Sequence, residues 1–165
     1  RDLTEDERRA IARVVGLGAL KYADLSNNRQ SDYIFDWDKM LALQGNTAPY
    51  LQYAYTRVRS IFRKMDAPNF ATVEFRLKAP EELALAKHLM NFGQTLEMVA
   101  QDYRPNFLCN YLFELAGHFS RFYEACPVLK AEEAERNSRL AICELTARVL
   151  RSGLDALGIE VTEVM

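Results

Sequence analysis

The sequence predicts an all-α protein, a helical bundle of about five long helices plus one short helix, in a single domain spanning residues 1–165. Three observations predict it. The 165 residues include only 7 Gly and 5 Pro, too few for a turn-rich β-sandwich. Residues that start and stop helices punctuate the chain, and between them apolar residues recur at three- and four-residue spacing. With 49% hydrophobic and 27% charged residues, the composition is that of a folded globular domain large enough to bury a core.

Each element follows from local signals. Thr4 with Glu7 forms a capping box opening a helix to about Asp24, with Ile11, Val14, Val15, Leu17 and Leu20 at helical spacing. Gly16 and Gly18 interrupt it at a cost of about 1 kcal/mol each against Ala, which predicts a close helix–helix contact there. Ser26–Arg29 is turn-like, and Asp32–Trp37 alternates as a short extended stretch. A short helix over Asp38–Leu43 meets the compact loop Gln44–Thr47. Thr47 caps the next helix, with Pro49 in its first turn, running to about Asp66. Residues 66–79 connect to a helix from Pro80 to about Asp102, with Glu81 and Glu82 at its positive end. Arg104–Pro105 opens another, stopped by Pro127, and the last runs from about Ala131 to Leu157 with Gly158 just past its end.

Several classes are excluded. No apolar run reaches the roughly 18–20 residues of a membrane-spanning helix, and Arg1–Glu5 lacks the apolar stretch of a secretory signal. Three Cys without repeated spacing argue against a disulfide scaffold and for a reducing, cytoplasmic location. Cys109, His118, Cys126 and Cys143 match no zinc spacing, so no metal site is expected. His118 and the cysteines read as structural, and His88 has no context. Gly16 and Gly18 lie inside a helix rather than after a strand, and no nucleophile elbow is present, so no catalytic residue is assigned.

Net charge is −2, yet residues 1–65 hold 11 Lys/Arg against 8 Asp/Glu. No acidic residue lies between Asp38 and Asp66, where Lys39, Arg57, Arg59, Arg63 and Lys64 fall. A local basic surface on an acidic body binds polyanions, because fields are short-ranged at cellular salt. On a wheel of about 100° per residue, Leu51, Ala54, Tyr55, Val58, Ile61, Phe62 and Met65 form the core stripe of the 47–66 helix. Tyr50, Tyr53, Arg57, Ser60 and Lys64 form an arc beside it, with Arg59 and Arg63 further round toward solvent. Aromatic rings beside cations suit single-stranded RNA, where bases stack and phosphates are paired. The same pattern also arises when tyrosines pack on a neighbouring helix with only their hydroxyls wet.

Leu20–Leu25, Asp32–Asp38 and above all Gly45-Asn46-Thr47-Ala48-Pro49-Tyr50-Leu51-Gln52-Tyr53-Ala54-Tyr55-Thr56-Arg57 resemble the arginyl-tRNA synthetase family. Cys126–Leu129 and Gly158–Met165 resemble its C-terminal region, so the likeness covers essentially the whole chain. It implies the all-helical anticodon-binding (DALR) domain of a class I synthetase. A parent protein of this kind attaches arginine to tRNA-Arg using ATP and Mg; this chain has neither the His-Ile-Gly-His nor the Lys-Met-Ser-Lys-Ser motif and by the same likeness lacks the active site. The implied partners are the tRNA-Arg anticodon loop and the parent's catalytic domain; no cofactor is expected in this domain, and a monomer is expected. The resemblance places Tyr50, Tyr53 and Arg57 at the anticodon loop, Gln44 and Asn46 in the loop beside it, and Tyr123 and Met165 nearby; Lys64 joins them from the wheel as a phosphate contact. The Asp155-Ala156-Leu157-Gly158 stretch lacks an arginine after Asp-Ala-Leu, and no role is carried onto it.

The competing reading is a helical protein-interaction or scaffold domain without RNA binding. Net acidity and the alternating charges Glu132, Glu133, Glu135, Arg136 and Arg139 support it. A Cys/His-dependent enzyme would require a metal or a reactive thiol.

Overall fold

The computed structural model describes residues 3–63 and 73–165. The described residues form helices α1 (Glu5–Ser26), α2 (Trp37–Met40), α3 (Ala48–Phe62), α4 (Pro80–Met90), α5 (Phe92–Asp102), α6 (Pro105–Ala125) and α7 (Glu133–Ala156), without a strand among them. The all-α bundle is as the sequence predicts. The Thr4–Glu7 capping box closes in both directions. At the far end of α7, Gly158 has φ +68. Its N–H donates to Asp155, and the Ile159 N–H donates to Leu154, so the last carbonyls are satisfied by a Schellman turn.

The 80–102 segment differs from expectation. It breaks at Asn91, whose N–H turns back to the His88 carbonyl, three residues away. Asn91-Phe92-Gly93 is a run of weak helix formers, and the break lets α4 and α5 pack separately against α6. The short helix also begins and ends earlier than expected, because Asp36 caps it by accepting from the N–H groups of Asp38 and Lys39.

Helix α6 is central, with α1, α3, α4, α5 and α7 all packed on it. Leu108, Leu112, Leu115, Phe119 and Phe122 fill its inner faces against Leu51, Val58, Leu85, Leu140 and Leu150. The predicted core stripe of α3 holds for Leu51, Ala54, Tyr55, Val58 and Ile61, all buried; Phe62 is half-buried, and Met65 lies outside the described residues. At Gly18 a Cβ would meet Gln52 Nε2 at 2.8 Å and Ile159 Cγ2 at 3.2 Å, so the expected close approach is real there, whereas Gly16 faces open space.

The charges of α7 that favoured a solvated interaction face are partly spent inside the fold. Arg139 donates to the carboxylate of Glu82 at 2.6 Å and to the Pro127 carbonyl at 2.9 Å. Glu82, 1% exposed, also accepts the N–H groups of Lys78 and Ala79. Burial works to raise the Glu82 carboxyl, but these donors outweigh it and hold it below the ordinary carboxylate range.

All three cysteines are free and buried. Burial pushes the Cys109 and Cys143 thiols up to about 12, far from the acidity of a reactive thiol. His88 stacks on Tyr111 at 4.5 Å, 4.8 Å from the His118 ring. Burial first, then the neighbouring His88 and Arg121, lower the His118 pKa.

Candidate nucleic-acid interface

Thr47 builds the start of α3. Its hydroxyl oxygen accepts from the Tyr50 N–H at 3.3 Å and donates to the Ala42 carbonyl at 2.6 Å, closing the 42–47 loop. Asn46 is tied to the bundle. Its Oδ1 lies 2.5 Å from the Tyr22 hydroxyl, which also reaches the Cys109 carbonyl at 2.9 Å. Its Nδ2 donates to Asn110 Oδ1 at 3.1 Å. Asn46 is thereby a fixed part of the loop, and both it and Gln44 are exposed. Burial pushes the Tyr22 phenol up, so that hydroxyl stays protonated as a donor.

Helices α3 and α6 run in the same direction, for Asn46, Tyr50 and Arg57 meet Asn110, Phe113 and Tyr123 in order. Tyr50 is half-buried with its ring 5.7 Å from Phe113 at 60°, an edge contact. Tyr53 is 47% exposed. The Arg57 guanidinium carbon sits 4.8 Å from the centre of the Tyr123 ring, a cation–π contact. Tyr123 in turn packs 5.8 Å from Phe119. The structure thus brings Tyr50, Tyr53, Arg57 and Tyr123 onto one α3–α6 face, with the Gln44–Asn46 loop before its first turn. Lys64 lies outside the described residues.

The opposite edge of α3 carries the C-terminal segment. Gln52 Nε2 donates to the Glu160 carbonyl at 2.8 Å, and the Thr56 hydroxyl to that of Thr162 at 3.1 Å. The Glu163 carboxylate accepts from the Tyr55 hydroxyl at 2.8 Å and from Arg59 Nε at 3.2 Å. Arg63 donates to the Glu163 carbonyl, and Arg59 also pairs with Glu144 at 3.2 Å. Burial would raise the Glu163 carboxyl, yet the bonds from Tyr55 and Arg59 lower it below its ordinary range. Arg59, expected toward solvent, is instead half-buried under this segment, while Arg63 is exposed as expected and also bonds to it. Met165 is half-buried, two residues beyond Glu163.

Sequence reasoning missed Phe113 and Asn110, the α6 partners of Tyr50 and Asn46. A helical wheel reads one helix at a time, and only the aromatic at 113 hinted at a neighbour.

The family profile described as DALR anticodon binding domain matches residues 51–165. The chain belongs to the DALR anticodon-binding domain family. A second profile, described as tRNA synthetases class I (R), catalytic domain, matches residues 1–37. The arginine–tRNA ligase of Shigella dysenteriae is 54% identical over 99% of this chain, which spans 29% of that protein's length. The DALR chain also superposes on the arginyl-tRNA synthetase of Thermus thermophilus with a TM-score of 0.91 at 33% identity, over 99% of this chain and 28% of that one. That of Plasmodium falciparum gives 0.85 at 32% identity, over 94% and 28%. The chain therefore spans under a third of the length of each of these three relatives.

Proposed function

We propose that this chain reads the anticodon loop of tRNA-Arg on behalf of an arginine–tRNA ligase. The longer protein attaches arginine to that tRNA with ATP and Mg, in the cytoplasm, and its catalytic domain is the second partner of this chain. Residues 1–165 act as one unit and as a monomer. In support of one unit, α1 packs on α3 and α6 although it falls within the catalytic-domain match.

The carrying observation is Tyr53, a half-exposed ring one turn from Arg57, whose guanidinium pairs with no carboxylate among the described residues. An unstacked base gains about 1–3 kcal/mol on such a ring. Tyr50 shores up the platform through Phe113, and Arg57 and Tyr123 work as a pair, the ring fixing the cation that meets phosphate or a base edge. Gln44 and Asn46 flank the loop, Lys64 adds a phosphate contact, and Met165 packs at the bases. Family membership and the likeness to arginine–tRNA ligases support the choice of tRNA.

Tyr53→Ala tests it. We expect tRNA-Arg binding weakened by about 1–3 kcal/mol with an unchanged melting curve. Undiminished affinity with a native melt would exclude this face as the reader and return the scaffold reading.

A further inference from the structure

Tyr53 stands on α3 between Tyr50 and Arg57, and α6 lines the other side of the same surface. Phe113, Gly117 and Arg121 recur every fourth residue along α6 and so share one side of it. Phe113 meets the Tyr50 ring at 5.7 Å, and Tyr123, two residues past Arg121, lies 4.8 Å from the Arg57 guanidinium. The row therefore runs beside the stretch of α3 that bears Tyr53. Gly117 is bare: apart from its chain neighbours and the helix backbone, a Cβ there would meet Arg121 Nη1 at 3.6 Å and nothing else within 4 Å. The Arg121 side chain thus reaches back one turn over the glycine, and the space around it is open. Arg121 is exposed and joins no ion pair among the described residues, although Glu114 and Glu124 lie on the same helix. By contrast, Arg59 and Arg139 spend their charge on Glu144 and Glu82. The charge of Arg121 is still felt at His118, where, after burial and His88, it is the next cause lowering the pKa.

We propose that Arg121 is a second phosphate-binding residue of this face, holding the backbone of a single-stranded RNA loop from the α6 side while Arg57 works from α3. The proposal rests on the reading of the face as the anticodon reader, and it adds the contact made from the second helix. Three observations carry it. A base stacked on Tyr53 leaves a phosphate on each side of it, so a surface that holds the strand needs cations on both sides of the ring, and Arg57 and Arg121 supply them. A guanidinium is a planar fork that pairs two phosphate oxygens at once, and no described residue takes up the donors of Arg121. Gly117 weakens the interior of α6 without being required by packing, since a Cβ there would make only an ordinary contact. A bare floor beneath the guanidinium is what the close approach of a strand needs.

Binding of a labelled tRNA-Arg anticodon stem-loop, cognate and base-changed, across a salt series tests this. Arg121→Gln should lower the slope of log affinity against log salt by about 1, weaken both loops by the same factor, and leave the melting curve unchanged. Arg121→Lys should keep the slope, because charge sets it. Gly117→Leu, which fills the floor and displaces the guanidinium, should weaken both loops alike. An unchanged slope in Arg121→Gln would overturn the proposal. So would a slope lost equally in Arg121→Lys, or a weakening confined to the cognate loop, which makes Arg121 a base contact. Undiminished binding by a folded Gly117→Leu would overturn it as well. Tyr53→Ala, measured in parallel, separates the proposal from the reading beneath it. Loss in Tyr53→Ala with none in Arg121→Gln sinks the proposal alone, and loss in neither sinks both.

Discussion

The two edges of α3 are built from interleaved residues, and only one is covered. Gln52, Tyr55, Thr56, Arg59 and Arg63 are bonded to residues 160–163 or to Glu144. Tyr50 and Arg57 meet aromatic rings of α6, Phe113 and Tyr123, and Tyr53 beside them is half-exposed. Arginines of the same helix thus differ in what they have left to offer. Arg59 has two carboxylates; Arg57 has a π-face, which fixes its position without neutralising its charge. Basic residues counted along a sequence overstate a polyanion site unless their internal partners are subtracted.

The largest effect that would sharpen this contrast lies under the covered edge. Ile159, 1% exposed, anchors the C-terminal segment beside Gly18. Ile159→Ala should lower stability by about 2–5 kcal/mol, the range for truncating a buried aliphatic side chain, read as an earlier midpoint in urea. A smaller effect separates the two arginines. Arg57→Ala should lessen the slope of log affinity against log salt for tRNA-Arg by about 1, with stability unchanged. Arg59→Ala should leave that slope alone and cost about 1 kcal/mol of stability, since both its carboxylate partners are partly solvated. Equal slopes for the two variants would break the distinction between the edges.

The smallest expected effect is in acid. The Glu163 carboxyl is lowered in the fold, so its contribution is present above the unfolded-state pKa and is lost as pH falls through the folded one. Glu163→Gln should therefore flatten the loss of melting temperature below about pH 4–5, near the ordinary carboxyl pKa. The change should be slight, because the carboxylate is over half exposed and screened by water.

Much of the fold was legible because helix ends are local chemistry. Thr4 and Glu7 meet across one turn, Thr47 caps its own helix, and Gly158 ends α7 in the left-handed region only a glycine adopts readily. The break at Asn91 was missed because the apolar spacing runs through it; the weak helix formers Asn91-Phe92-Gly93 permit it locally, but the separate seating of α4 and α5 on α6 that goes with it is tertiary. For the candidate site, the wheel separated Tyr50, Tyr53 and Arg57 from the core stripe; Tyr53 and Arg57 do lie off it, whereas Tyr50 is half-buried against the core. It could not know that α6 supplies Phe113 and Tyr123 on one side while the C-terminal segment takes Arg59 and Arg63 on the other. Those contacts join residues more than sixty positions apart, beyond the reach of any periodicity.

The most direct test of the anticodon reading is binding of the chain at low salt to a labelled tRNA-Arg anticodon stem-loop, beside one with the anticodon bases changed. The account predicts tighter binding to the cognate loop, lost in Tyr53→Ala. Equal binding to both loops would reduce the open edge of α3 to a phosphate-binding surface and contradict base reading by this chain.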